Sequence, residues 1–229
     1  MLGASAASIE TKLTPRTVTR RVFLEVFMQR HLVQISQETK LSVSRARASK
    51  PCFALGTHVL TPRGDRLIQD LKVGDLVETL DHGAQPVRAM GVRRFEALDD
   101  AAPIRFKAGT LNNEHDLCVT AGHRIRFAGW QPDLLFGEWE VLVAARDFVN
   151  NVDVIRDIGG MVRYAYLDFD AHHIIFAERV PVESSQMGAR GATDRPSSDK
   201  LAFPPLAEHE AQVLLRSYTR AKVPATPTA

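Results

Sequence analysis

The sequence predicts an all-β domain of short strands, followed by a short C-terminal helix. Three observations carry this. Between residues 52 and 185, turn-forming clusters of Gly, Pro, Asp and Asn recur about every ten residues. The intervals between them are rich in β-branched residues. No interval there shows a long, well-capped helical period.

Taken in order, THVLT (57–61) meets the turn PRGD, and RLIQDL (66–71) runs to KVGD. LVETL (76–80) leads to DHGAQ, and PVRAMGVRRF (86–95) follows. IRFKAG, DLCVTAG and HRIRFAG continue the pattern from residue 104 to 129. EVLVAARDFV, DVIRDIGG, VRYAYLDFD and HHIIFAERVPVESS complete it. Only WQPDLLFGEWEVLVAARDFV (130–149) is ambiguous, with room for a helical turn. In LAFPPLAEHEAQVLLRSY (201–218), Leu206, His209/Glu210 and Val213/Leu214 fit a short amphipathic helix after two prolines.

Composition and charge set the boundaries. Hydrophobic residues at 45 % and charged residues at 24 % match a globular chain, and 229 residues suit one sizeable domain with tails. Residues 1–51 carry nine Lys/Arg against three Asp/Glu, whereas 52–188 carry fourteen against twenty. That reversal places a boundary near 51/52. The leader holds one helix-like run, TRRVFLEVFMQRHLV, and then the polar, basic SQETKLSVSRARASKP. Its aromatics do not interleave with a dense basic stripe, so no nucleic-acid partner is expected. Residues 189–229 read as a Gly/Ser/Pro-rich connection, the short helix and a disordered tail.

No run of 18 apolar residues occurs, and the N-terminus lacks a continuous apolar signal core. The expected location is the cytoplasm, or outside the cell by a route without such a signal. Two cysteines, Cys52 and Cys118, are too few for a disulfide framework and read as reduced thiols.

Cys52 opens the β-domain directly after Pro51, where one region ends and another begins. Seventy-one residues on, VTAGHRI places Thr120 and His123 in a T-x-x-H pattern, with a turn-permitting Ala121-Gly122 between them. Thiol, hydroxyl and imidazole are suitable groups for acyl transfer: one attacks, one protonates the leaving nitrogen, one donates a hydrogen bond. Cys118, between Leu117 and Val119, reads as core packing. A zinc set drawn from His115, Cys118, His123 and His172 lacks the usual ligand spacing, so no metal and no cofactor are expected. Asp65 and Asp75 read as turn formers, and Arg93-Arg94 and Arg124/Arg126 as solvent faces of strands.

The order of these segments resembles the Hint superfamily of hedgehog and intein autoprocessing domains. Cys52, the turn Gly56-Thr57, the strand around Val59-Leu60, the turn Pro62–Asp65 and the run Leu71-Lys72-Val73-Gly74-Asp75-Leu76-Val77 look like its opening block. LCVTAGHRI looks like its second block. LLFGEWEVLVAARDFV, DFDAHHIIFAERVPVESS and LAEHEAQVLL are similar to a bacterial subgroup, so the resemblance spans about residues 52–216.

The resemblance implies a compact horseshoe of short strands and single-turnover chemistry on the chain's own backbone. By position Cys52 is the nucleophile toward the Pro51 carbonyl, His123 the acid for the leaving amide nitrogen, and Thr120 a hydrogen-bonding partner of that amide. His173 is the better of two candidates, with His172, for a further site histidine. The implied substrate is the chain's own N-terminal segment, with a thiol, an alcohol or water as acceptor. The F-A pair aligns the family's terminal His-Asn with Glu183-Ser184, and neither side chain can cyclise as Asn does, so splicing is not expected. Ser185 follows that junction, and the family's preceding carboxylate falls near Tyr166 rather than Asp168 or Asp170. Pro51 crowds its own carbonyl and should slow attack on a thioester. Two other readings stand beside self-cleavage: a non-cleaving binding or adaptor scaffold, and a Cys-His hydrolase acting on other substrates.

Overall fold

Turn chemistry written into the sequence starts the strands. The structure, a computed structural model, describes residues 51–186 and 201–222, with side chains for 51–185 and 201–218. The expected leader helix, the connection after Gln186 and the C-terminal tail lie outside the described residues.

Two hairpins share one device. In β2 (His58–Thr61) and β3 (Gly64–Leu67), the Thr61 hydroxyl donates to the Gly64 carbonyl at 2.7 Å and accepts the Arg63 N–H at 3.2 Å. In β4 (Leu76–Thr79) and β5 (Gly83–Pro86), Thr79 bonds Gly83 and His82 at the same two distances. Gly64 sits at φ 95°, where a side chain would be strained. Asp75 accepts the Lys72 N–H, the turn role expected of it.

The remaining strands are β1 (Phe53–Ala54), β6 (Ala89–Glu96), β7 (Ile104–Phe106), β8 (Leu117–Val119), β9 (Arg124–Ala128) and β10 (Glu140–Ala144). After them come β11 (Val154–Arg156), β12 (Met161–Phe169), β13 (Ile174–Ala177), β14 (Val180–Glu183) and β15 (Ser185–Gln186). One sheet runs β11-β7-β8-β1-β12-β15, with β6 also on β12. The other runs β10-β9-β14-β13-β2-β3, with β4 joining β13 to β5. Side chains from both, among them Phe53, Val59, Phe106, Leu117, Ile125, Phe169 and Ile175, form one buried cluster. Each contributes roughly 1.5–3 kcal/mol by leaving water. The fold is all-β, as expected.

Three local elements become definite. The ambiguous stretch contains a helix, α1 (Trp130–Phe136), stopped by left-handed Gly137 before β10 begins. HHIIFAERVPVESS is not one strand but a hairpin, β13–β14, turning at Glu178-Arg179. The short C-terminal helix forms as α2 (Glu208–Lys222), but Val213 is half exposed. Its buried face is Ala211 and Leu214, with Leu215 beside them, packed on Val141 and Val143 of β10. Residues 204–206 flank that strand: the Leu142 N–H donates to the Pro204 carbonyl and the Leu206 N–H to the Leu142 carbonyl.

Candidate active site

The site grows from the middle of the first sheet. Phe53 pairs with Val119 of β8 on one side and Ala165 of β12 on the other, and is 1 % exposed. The ladder continues one step beyond Phe53. The Thr120 N–H donates to the Cys52 carbonyl at 3.1 Å, and the Cys52 N–H donates to the Thr120 hydroxyl at 3.3 Å. The amide nitrogen of the Pro51–Cys52 bond is therefore held against Thr120.

The Thr120 carbonyl then accepts the His123 N–H at 3.0 Å, closing the turn that Ala121-Gly122 permits. This turn buries the His123 ring completely, edge-on to Phe53 at 4.5 Å. Its Nδ1 faces the Cys52 carbonyl oxygen at 3.2 Å and its Nε2 faces the Glu183 carbonyl oxygen at 3.1 Å. A neutral imidazole has one N–H for these two acceptors; the imidazolium has two. Burial pushes the His123 pKa below its ordinary value, while the Glu183 carboxylate and the two carbonyls pull it back up. The ring thus has a cost for charge and a ready geometry for it, a fitting balance for moving a proton.

Glu183 is the residue the sequence did not single out as a partner. Its side chain is 2 % exposed. One carboxylate oxygen accepts the Arg124 backbone N–H at 2.8 Å; the other accepts Arg124 Nη1 at 3.1 Å and His172 Nε2 at 3.3 Å. Burial alone would raise its pKa, but His172, His123 and Arg124 together hold it below the ordinary carboxylate value. Arg124 is accordingly more than the solvent face of a strand. The signal that could have found it is the acid left where the resemblance implies His-Asn.

The two adjacent histidines diverge, as neighbours at the start of a strand must. His172 reaches Glu183. His173 turns to the rings of His82 at 5.2 Å and Phe169 at 5.9 Å, and its Nδ1 is buried without a hydrogen-bond partner among the described residues. Burial, then His82 and His172, lower its pKa. Cys52, Thr120 and His123 are brought together; His173 is tied to another group.

Residues 183–185 run on within the sheets. Ser184 exchanges hydrogen bonds with the His173 backbone through its hydroxyl and its N–H, and Ser185 pairs with Asp168 in the parallel β12–β15 ladder. Of the two acids considered beside Tyr166, Asp168 is buried and Asp170 forms an exposed pair with Arg88. Cys118 is half-buried rather than in the core, because β8 turns it to the face opposite Leu117 and Val119. Burial raises its thiol to about 11. The three histidines considered for zinc have separate partners: His115 bonds Glu178, His172 bonds Glu183 and His123 faces backbone carbonyls. No described helix is long and apolar enough to cross a membrane.

No curated protein matches the chain. Among solved structures, a splice-inactive variant of the AceL NrdHF class 3 split intein is 15 % identical, covering 59 % of this chain and 99 % of its own, with a TM-score of 0.41. The N145AA form of the MchDnaB-1 intein is 18 % identical, covering 58 % and 99 %, with a TM-score of 0.39. A bacterial intein-like domain from Clostridium thermocellum is 14 % identical, covering 58 % and 98 %, with a TM-score of 0.36. The family described as the Hint domain matches residues 51–189, more than half of the chain. This chain belongs to the Hint family of autoprocessing domains.

Proposed function

We propose that the domain cleaves its own backbone at Pro51–Cys52 by an N–S acyl shift. The observation that carries this reading is the reciprocal pairing of Cys52 with Thr120, which fixes the scissile nitrogen at a hydroxyl. In the reaction the Cys52 sulfur bonds to the Pro51 carbonyl carbon and the C–N bond breaks. The electron pair goes to nitrogen, and the thiol proton accounts for the new N–H. A second proton, supplied through His123, makes the ammonium, which cannot attack back. In the resting state His123 Nδ1 faces the Cys52 carbonyl, one backbone step from that nitrogen; such contacts tighten in the reacting geometry. Water, a thiol or an alcohol then takes the acyl group, releasing residues 1–51 and regenerating the thiol.

The reaction stops at one junction. Neither Glu183 nor Ser184 can cyclise as Asn does, the Glu183 carboxylate is engaged by Arg124 and His172, and Ser184 and Ser185 are buried, Ser185 in strand pairing. This supports cleavage without splicing. Pro51 supports the second reading, a Hint-shaped scaffold whose acyl step is slow, because its ring crowds the carbonyl under attack.

Intact mass measurement with and without dithiothreitol separates the two. Self-cleavage yields fragments 1–51 and 52–229, faster with thiol, while Cys52→Ala stays whole. Full-length chain persisting equally in both proteins supports the scaffold instead.

A further inference from the structure

The β13–β14 hairpin carries an anomaly unrelated to Cys52. A two-residue turn of this kind needs left-handed backbone at both positions, and Asn-Gly or Asp-Gly usually fills them. Here Glu178 sits at φ 47° and Arg179 at φ 68°. Strain of this sort persists only where the surroundings over-determine it, and it clusters at functional positions.

The surroundings are specific. Glu178 is a carboxylate with 2 % of its side chain exposed. Its N–H donates to the His58 carbonyl at 2.9 Å, and the His58 N–H donates to its Oε1 at 2.6 Å. His58 Nδ1 lies 3.0 Å from Oε1, and His115 Nδ1 lies 2.9 Å from Oε2. The two imidazoles stand with centroids 5.0 Å apart. All three candidate donor atoms fall within 4.8 Å of one another. Beyond them, Asp65 and Glu114 flank Arg179, so with Glu178 this corner of the fold carries three carboxylates against one guanidinium, a balance that favours a cation. His115 is 60 % exposed on its side chain, which leaves an open approach.

We propose that His58, His115 and Glu178 form a binding site for a divalent transition-metal ion such as Zn²⁺. Two imidazoles and one carboxylate are a donor set that suits zinc, with the fourth position left to solvent. Ligands about 2.0–2.1 Å from a tetrahedral ion lie roughly 3.3 Å apart. The His–Glu separations are 3.0 and 2.9 Å, and all three donor atoms lie within 4.8 Å, so a small adjustment of the exposed His115 ring would complete the set. The Glu178 carboxylate is oriented by the His58 N–H, the kind of outer contact that fixes a metal ligand. A bound ion would tie β2, the loop before β8 and the β13–β14 turn together. It requires none of Cys52, Thr120 or His123.

The test is zinc titration of the full chain by calorimetry, with thermal melts alongside, in a Cys52→Ala background so that neither the site thiol nor cleavage contributes. One equivalent should bind with low-micromolar affinity or better and raise Tm. His115→Asn should weaken binding at least tenfold and remove the shift; being exposed, this position leaves the fold intact. Glu178→Gln, checked for folding by circular dichroism, should do the same, and His172→Asn should not. Equal zinc binding by the parent and His115→Asn, or no binding by the parent, overturns the proposal and leaves a hydrogen-bonded His–Glu–His group.

Discussion

Replacing Glu183 by Gln tests how the site is held. The substitution keeps size and shape, and leaves the backbone carbonyl that faces His123 Nε2 in place. It removes the charge that meets Arg124 and His172 in a setting where the Glu183 side chain is 2 % exposed. The amide keeps one acceptor, enough for the Arg124 N–H, but turns an NH₂ toward donors. Breaking a fully buried ion pair costs about 3–5 kcal/mol. Arg124 is 35 % exposed on its side chain, so water can re-solvate its guanidinium and lessen that loss. The expected cost is therefore about 2–3 kcal/mol, or roughly 5–10 °C in Tm for a domain of this size. Urea unfolding and thermal melts of Glu183→Gln against its parent, both in a Cys52→Ala background, measure it. A loss below about 1 kcal/mol would refute the reasoning and class the pair with solvent-screened surface bridges.

Three further outcomes are expected. Burial lowers the pKa of both His123 and His173 below 6.5, so the unfolded chain takes up protons first as pH falls. Their contribution is complete above that value and lost below it; His115, raised by its bond to Glu178, acts in the opposite sense. Two buried groups outweigh one exposed group, so Tm should drop between about pH 7.5 and 5.5, and a flat or rising profile would contradict this. Cys118, raised from 9.0 to about 11, should react with iodoacetamide roughly 100-fold more slowly than in the unfolded chain, measured by peptide mapping at neutral pH. A Cβ on Gly91 would lie 2.7–2.9 Å from the Tyr166 ring and hydroxyl. Gly91→Ala should therefore cost about 1–3 kcal/mol in urea unfolding, most of it recovered when Tyr166→Ala is added.

The fold was legible where local chemistry dictates it. Thr61 and Thr79 bond the carbonyls of Gly64 and Gly83 within their own hairpins, and such turns can be read from short stretches. The hairpin at Glu178-Arg179 was not legible, because neither residue favours left-handed backbone and tertiary contacts hold it there. Cys52 and the T-x-x-H segment could be found because each sits at a recognisable place in an ordered series. The roles of Arg124, His172 and Glu183 depend on how β9 and β14 register, Val182 against Ile125, which no local pattern encodes. The choice between His172 and His173 rests on the β13–β14 pairing, Ile174 against Glu183. His58, His115 and Glu178 are 57 to 120 residues apart in the chain, and only the folded sheets bring them together.

In the proposed reaction Cys52 carries the acyl group of Pro51 as a thioester. Hydroxylamine at neutral pH traps such an ester, and the chain has no Asn-Gly step for it to cut instead. The wild-type protein should yield a leader peptide ending in the hydroxamic acid of Pro51, and Cys52→Ala should yield none. If hydroxylamine leaves wild type at full length, or yields the same products from both proteins, Cys52 is not the nucleophile of an acyl shift.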